Sequence, residues 1–509
     1  MSETLKEPPV KTEPLLVIVL ISALLHLLCA LFLELGNDEV YYITYARYPQ
    51  WSFFDHPPAV GWLIRIGTLD LRWTSDFFIR LIPIVCGLVN IVLVHRITRL
   101  CAGHSAAITA ALLFASSIYA QVIAGFFIMP DSSLVTCLLI CLLALIHIIH
   151  LRSNAVRHWI IFGLFSGLAF LSKYHGLCIW LGFGLYVLLN DRTLLRKGGL
   201  YLSGILALAL STPVIMWNIA NEFVSFRFQG ERIGAESVSI NWKYFAQELF
   251  GSVAYNNPLV WICLVITLVA LLKRRTILTL SLDRLFIYLS LPVIVIFLFS
   301  SLFKPTLPHW SAPAYTLLVI PAGAYFAKRV KIVRAAAGLM MTIWIAAPIV
   351  IQSVALDTQN KEVTRLGRFD FTLDLYGWKS IGEDFTTLHE KLLRDGVVNE
   401  DARLVITKWF PGAHLEHYVA QSAGITVWPV GDTASLHHYA FIRHRLPVAK
   451  PETNHYYITT SHFFIDPQKN TSFSSIILHS IIPVFKGSRH VENAFVYLVR
   501  ISPDQQTKQ

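Results

Sequence analysis

The sequence predicts a polytopic α-helical membrane protein of about eleven spans, followed by a small C-terminal extracytoplasmic α/β domain. Three observations predict it. The 509 residues are 55% hydrophobic and only 15% charged, whereas a soluble chain carries nearer a quarter charged residues. Their mean hydropathy is +0.55. Apolar runs long enough to cross a bilayer recur up to residue 352, and beyond it the pattern becomes that of a water-soluble segment.

The first run, Leu15 to Leu35, is about 20 residues long, enough to span, and no small-residue cleavage site follows it, so it reads as a retained helix. Further spans are expected at 78–95, 104–124, 132–150, 158–171, 176–190, 200–219, 254–272, 284–302, 311–327 and 334–352. The run from His158 to Asn190 is too long for one helix. It is broken at Ser172-Lys173-Tyr174-His175-Gly176. A membrane domain over 1–352 is therefore expected, with a first outer loop at 36–77. That loop ends in an amphipathic stretch, Val60 to Trp73, which reads as an interfacial helix lying on the bilayer.

With a cytoplasmic N-terminus, the inside flanks collect Lys6, Lys11, Arg96, Arg99, Arg152, Arg157, Arg192, Arg196, Lys197, Lys273 to Arg275, Arg284, Lys328, Arg329, Lys331 and Arg334. The opposite loops are longer and hold only Arg47, Arg65, Arg72, Lys173, Arg227, Arg232, Lys243 and Lys304. This positive-inside bias accounts for much of the net charge of +10 without invoking nucleic acid.

An odd number of spans then places residues 353–509 outside. Leu404 to Thr407, Tyr456 to Thr459 and Phe495 to Val499 read as strands, and Ile381 to Arg394 and Ala413 to Ala420 as helices. About 150 residues suffice for a separate core. The seven cysteines all lie at or before Cys263, in or beside apolar runs, as packing residues do. No zinc or disulfide spacing appears. His414 and His417 share a helix face, and His437-His438 are adjacent, but no third ligand accompanies them, so no metal site is assigned.

The chemically distinctive residues fall at the outer membrane edges. Asn37-Asp38-Glu39 ends the first span, and two acids there are costly. Trp51 to Phe54, then Asp55-His56-Pro57-Pro58, follow in the same loop. Met129-Pro130-Asp131-Ser132-Ser133, Lys173-Tyr174-His175 and Lys304 to Trp310 mark later outer edges. Each has a plain reading alone: Asp38, Glu39 and Asp131 as helix caps, Lys173 and Lys304 as snorkelling anchors. Their convergence on one side points to a shared site. Carboxylates and cations at a membrane edge suit transfer of a sugar from a polyprenyl phosphate, whose leaving phosphate needs cations or donors. A carboxylate then serves the acceptor nucleophile.

At these residues the chain resembles the lipid-carrier-dependent glycosyltransferases of GT-C fold, and within them the protein O-mannosyltransferases and the bacterial lipid A aminoarabinose transferases. Asp38-Glu39 matches that family's catalytic loop, and Asp55-His56-Pro57-Pro58 its charged-residue-Pro-Pro segment. Met129 to Leu134 is similar to its second acidic motif, Leu171 to Gly176 to its Thr-Lys-Gly kink, and Lys304 to Tyr315 to its late motif. Tyr376-Gly377-Trp378 resembles the start of its outer domain. Where the lipid A enzymes carry a lysine before Pro-Pro, this chain has His56, and a neutral imidazole donates a hydrogen bond without a charge.

The resemblance implies an inverting displacement at the anomeric carbon. Asp38, Asp131 and Glu39 would be catalytic, and Lys173, Lys304, His56, Arg47 and His309 would bind the donor phosphate. The donor would be an undecaprenyl-type phosphate sugar. The favoured acceptor is lipid A or another envelope glycolipid on the outer face of the bacterial inner membrane, with a protein as the variant. A divalent cation fits the phosphate chemistry but has no sequence signature. A lipid-linked-sugar flippase is the rival reading. It would call for ionisable residues near midplane and matched helix breaks in two repeats, and only the break at 172–176 is clear. An acyl or phosphoethanolamine transferase would need a nucleophile constellation that does not assemble here.

Overall fold

The computed structural model describes residues 13–233, 239–357, 359–360, 362–469 and 472–502. Lys6 and Lys11, counted above among the inside flanks, lie outside the described residues. The helices run in chain order as α1 (Glu13–Phe32), α2 (Asn37–Arg47), α3 (Ala59–Gly67), α4 (Asp76–Ile79), α5 (Leu81–Ala102), α6 (His104–Ala115), α7 (Pro130–Ile149), α8 (Val156–Ser172), α9 (Cys178–Asn190), α10 (Gly198–Ala220), α11 (Val224–Ile233), α12 (Trp242–Tyr255), α13 (Pro258–Leu272), α14 (Leu280–Ser300), α15 (Ala312–Leu317), α16 (Val319–Phe326), α17 (Val330–Ser353) and α18 (Trp378–Arg394).

Six of these, α1, α5, α7, α10, α14 and α17, are long and apolar enough to cross a bilayer. The other expected spans coincide with shorter apolar helices at 104–115, 156–172, 174–190 and 312–326, and with α13. The chain is a multi-pass membrane protein, with six to seven spans by length and composition among the described residues. Two expected boundaries shift for local reasons. The run 104–124 stops as an α-helix at Ala115 and resumes as a π-helical turn, Tyr119–Ile123. The span expected from 254 begins at Pro258, because α12 and α13 meet at a 106° bend. Asn257 takes a positive φ of 65° there, and its side chain accepts the Leu259 N–H at 3.2 Å.

Two compact units emerge among the described residues. The first gathers residues up to Leu28, His56–Asp70 and Phe77–Ile343; the second gathers Cys29–Asp55, Leu71–Asp76 and the chain from Trp344. In the first, α7 is the most enclosed span, with 72% of its apolar window buried. It packs on α8, which packs in turn on α10.

The second unit holds one mixed sheet, ordered β2-β1-β3-β5-β4, from β1 (Leu404–Ile406), β2 (Val427–Pro429), β3 (His455–Thr460), β4 (Phe473–Lys486) and β5 (Arg489–Ile501). β1 pairs in parallel with β2 and β3, and β5 runs antiparallel to β3 and β4. All six residues of β3 are buried, as a central strand covered on both faces requires. β4 alternates toward solvent at the sheet edge, which explains why its apolar signal was too weak to stand out. β2 has three residues, too few to show a period.

Candidate active site

The first unit builds a buried polar centre at the start of α7. Met129 is extended and Pro130 occupies the first helical position, where the missing N–H costs nothing. Ser132 does the capping: its Oγ accepts the Met129 N–H at 3.4 Å and donates to the Phe127 carbonyl at 3.1 Å. Asp131 is therefore not needed as a cap. Its carboxylate accepts the Tyr119 hydroxyl at 2.7 Å and the Lys173 ammonium at 2.8 Å. Asp131 is wholly buried and Lys173 is 2% exposed. Tyr119 comes from the π-helical turn, which rotates its ring out of the ordinary helical register. Lys173 sits in extended backbone where α8 ends. The following turn requires glycine, since a Cβ on Gly176 would meet the Ala169 carbonyl carbon at 2.3 Å.

Around this ion pair stand three histidines. His309 feels the charges of Lys173, Asp131 and His56, and burial, reinforced by Lys173, lowers its pKa to about 3. At pH 7 it offers a hydrogen bond and no charge. His175 feels the same charges and stacks on Phe297 with ring centroids 5.3 Å apart. Its Nε2 is buried with no hydrogen-bond partner among the described residues. His56 precedes Pro57-Pro58, which lead into α3. The Arg232 guanidinium lies 5.0 Å from the Trp310 ring centroid. Asp131, Lys173, His309 and His56 thus come together as the sequence suggested. Lys304 is placed differently, its ammonium donating to the Glu231 carbonyl. Beside His175 an apolar cavity is lined by Leu138, Ile179, Leu289, Val293 and Leu317.

In the second unit the acidic pair of α2 divides. Gly36 is the N-cap and Glu39, at the third helical position, accepts the Gly36 N–H at 2.8 Å, one arm of a capping box. Glu39 is 2% exposed. Asp38, one residue earlier, is exposed. Arg47 closes the same helix, with its guanidinium on Glu416 at 3.0 Å and within 3.2 Å of His417 Nδ1. Glu416 also accepts the Tyr439 hydroxyl at 2.5 Å. Arg47 is thereby committed to a buried pair. Asp55 accepts from Tyr41 at 3.0 Å and from Tyr45, and lies 3.5 Å from His437 Nδ1.

His414, His417 and His438 of the tail are buried. His414 stacks on Trp378 at 4.3 Å, and His417 lies 3.7 Å from Asp76. Burial opposes the charged form of Asp76, but His417 and Lys379, the latter at 2.6 Å, bring its pKa down to about 2. Among the described residues no group of three or more His, Cys, Asp or Glu side chains is placed to share a metal ion.

Sequence reasoning missed Tyr119, which sits unmarked in an apolar run, and Glu248. Glu248 is 1% exposed and accepts from Thr306 Oγ1 at 2.7 Å and Ser311 Oγ at 2.9 Å, pinning both ends of the segment that carries His309. A signal existed: Glu248 is the one acid between Ser239 and Ser281.

Comparison with known proteins agrees with this architecture. Residues 55–217 match the family model described as dolichyl-phosphate-mannose-protein mannosyltransferase. The lipid A galacturonosyltransferase RgtD of Rhizobium johnstonii is 22% identical over 283 residues, 55% of this chain and 58% of that protein. The aligned region thus spans little more than half of that relative. Among solved structures, ArnT from Cupriavidus metallidurans bound to undecaprenyl phosphate superposes with a TM-score of 0.61 at 16% identity, covering 96% of this chain and 98% of that one. Its apo state gives 0.59 at 15% identity, covering 95% and 97%. The chain has the GT-C fold of these ArnT structures.

Proposed function

We propose that the protein is an inverting glycosyltransferase that moves a sugar from a polyprenyl-phosphate carrier to an envelope glycolipid, with lipid A favoured, on the outer face of the inner membrane. The observation that carries this reading is the buried centre of Lys173, Asp131 and Tyr119, with neutral His309 beside it and the orphaned Nε2 of His175. A buried ammonium with two further N–H donors, next to unsatisfied polar atoms, suits a phosphate that arrives with the substrate. The similarity to a lipid A galacturonosyltransferase and to an ArnT that binds undecaprenyl phosphate supports acceptor and donor class.

In the proposed reaction an acceptor oxygen attacks the anomeric carbon. The bond from that carbon to the carrier's phosphate oxygen breaks, and the electron pair leaves with the polyprenyl phosphate. Lys173 stabilises the developing charge, and His56 and His309 add donors, while Lys304 stays on the Glu231 carbonyl. Asp131 is a positioning residue that fixes the Lys173 ammonium. Asp38, exposed at the first turn of α2, takes the proton of a hydroxyl acceptor, or orients a phosphate acceptor that has none to give. Glu39 holds the start of that helix. Arg47 keeps its place in the pair with Glu416.

The lysine and arginine bias supports a cytoplasmic N-terminus and a periplasmic tail. Mass spectrometry of lipid A and envelope glycans from cells with and without the protein tests the proposal. A glycolipid bearing one sugar fewer in the deficient cells is expected. A change confined to glycoproteins would replace the acceptor, and no glycan change would sink the reading.

A further inference from the structure

The second unit carries a basic groove lined by none of the residues assigned above. Its volume is about 710 Å³, and its walls include Arg365, Arg368, Lys408, Lys469, Phe410 and Phe463. That volume lies within the range of ligand sites, but the lining is more polar than most. The turn at 365–368 explains why two arginines share one wall. Gly367 takes a φ of 73°, and a Cβ there would meet the Val491 carbonyl oxygen at 2.5 Å, so only glycine lets the chain turn this tightly.

The charges do not cancel. Arg365 pairs with Glu362 at 3.3 Å. The other acid of the lining, Asp466, accepts the Gln468 N–H at 3.0 Å, closing its own turn. Arg368, Lys408 and Lys469 have no carboxylate partner among the described residues. On the wall, His462 donates through Nδ1 to the Gly367 carbonyl at 2.6 Å, with Asp374 3.4 Å from Nε2. Phe410 and Phe463 meet edge to face at 4.5 Å and add an apolar surface to the same groove.

We propose that this groove binds an anionic saccharide, its phosphate or carboxylate groups on Arg368, Lys408 and Lys469 and a ring face on Phe410 and Phe463. Planar guanidinium and point-charge ammonium groups both recognise such anions. In the context of the proposed transfer, and resting on that reading, the saccharide is the acceptor's headgroup, captured by the tail.

The test is a binding titration that needs no turnover. Full-length protein in detergent, carrying Asp38→Asn so that transfer is suppressed, is titrated calorimetrically with a bisphosphorylated glucosamine disaccharide, with the unphosphorylated disaccharide, and with the bisphosphorylated form bearing acyl chains. Saturable binding of the bisphosphorylated sugar is expected, with a dissociation constant raised about tenfold or more by Arg368→Glu with Lys408→Glu, and also raised by Phe463→Ala. Tighter binding of the acylated form identifies a lipid headgroup; equal binding identifies a free glycan. Unchanged affinity in the charge-reversed variant, or equal binding of the unphosphorylated sugar, overturns the proposal. Because the titration is independent of transfer, loss of the enzymatic reading would leave a positive result standing.

Discussion

Removing Lys173 alone leaves the Asp131 carboxylate wholly buried with only the Tyr119 hydroxyl to answer it. Breaking a buried pair from one side costs about 3–5 kcal/mol, because a charge remains without its partner. Against a total stability of about 5–15 kcal/mol, that is a large fraction. Lys173→Met should therefore unfold at a markedly lower temperature than the parent protein. Lys173→Met with Asp131→Asn removes both charges and keeps an amide for Tyr119 to bond. It should recover most of the loss, since a buried pair replaced on both sides is often near neutral. The two losses part company in function: the double variant should be folded yet inactive, having no ammonium for the leaving phosphate. Thermal unfolding in detergent, run beside a transfer assay, measures both. A single variant as stable as the parent, or a double variant no more stable than Lys173→Met, would refute the pairing argument. A folded double variant with parental turnover would refute the phosphate role.

Asp38→Asn should lower transfer about 100-fold or more if the acceptor is a hydroxyl, in protein that still folds and inserts, as a transfer assay on the purified variant would show. Glu248→Gln loses one of two acceptors beneath the segment carrying His309 and should cost about 1–3 kcal/mol, with a raised KM for the lipid donor; kinetics with varied donor check it. Burial raises the Glu492 pKa to about 7, against the lowering contributions of Thr460 and His462. A folded pKa above the unfolded value means that its contribution is fully present below about pH 4.3 and is lost as pH rises through 7. The fall in unfolding temperature between pH 5 and pH 8 should accordingly be smaller in Glu492→Gln than in the parent. An identical fall in both would contradict the assignment.

Six of the eleven expected spans were legible at full length because a bilayer imposes a length and a composition that soluble folds do not. The break at Ser172 to Gly176 was equally plain, since it interrupts an apolar run with a charge and a glycine. The helix boundaries at Ala115 and Pro258 were not, because a π-helical turn and a sharp bend leave hydropathy unchanged. In the candidate site, order along the chain located Asp131 and Lys173 but gave them separate tasks; only the fold shows that one holds the other. Arg47 looked like a spare cation until Glu416, more than 360 residues later, turned out to neutralise it. The Asp38-Glu39 pair divides because backbone geometry assigns Glu39 to the Gly36 N–H, a distinction that two adjacent acids cannot express in sequence.

The most direct measurement reconstitutes the purified protein with a synthetic undecaprenyl-phosphate sugar and lipid A, and follows free undecaprenyl phosphate and glycosylated lipid A together. Both should appear in equal amounts from the parent protein, far more slowly from Asp38→Asn, and not at all from Lys173→Met with Asp131→Asn. Glycosylated product formed without the lipid-phosphate donor, or parental turnover by Asp38→Asn, would contradict the proposed transfer.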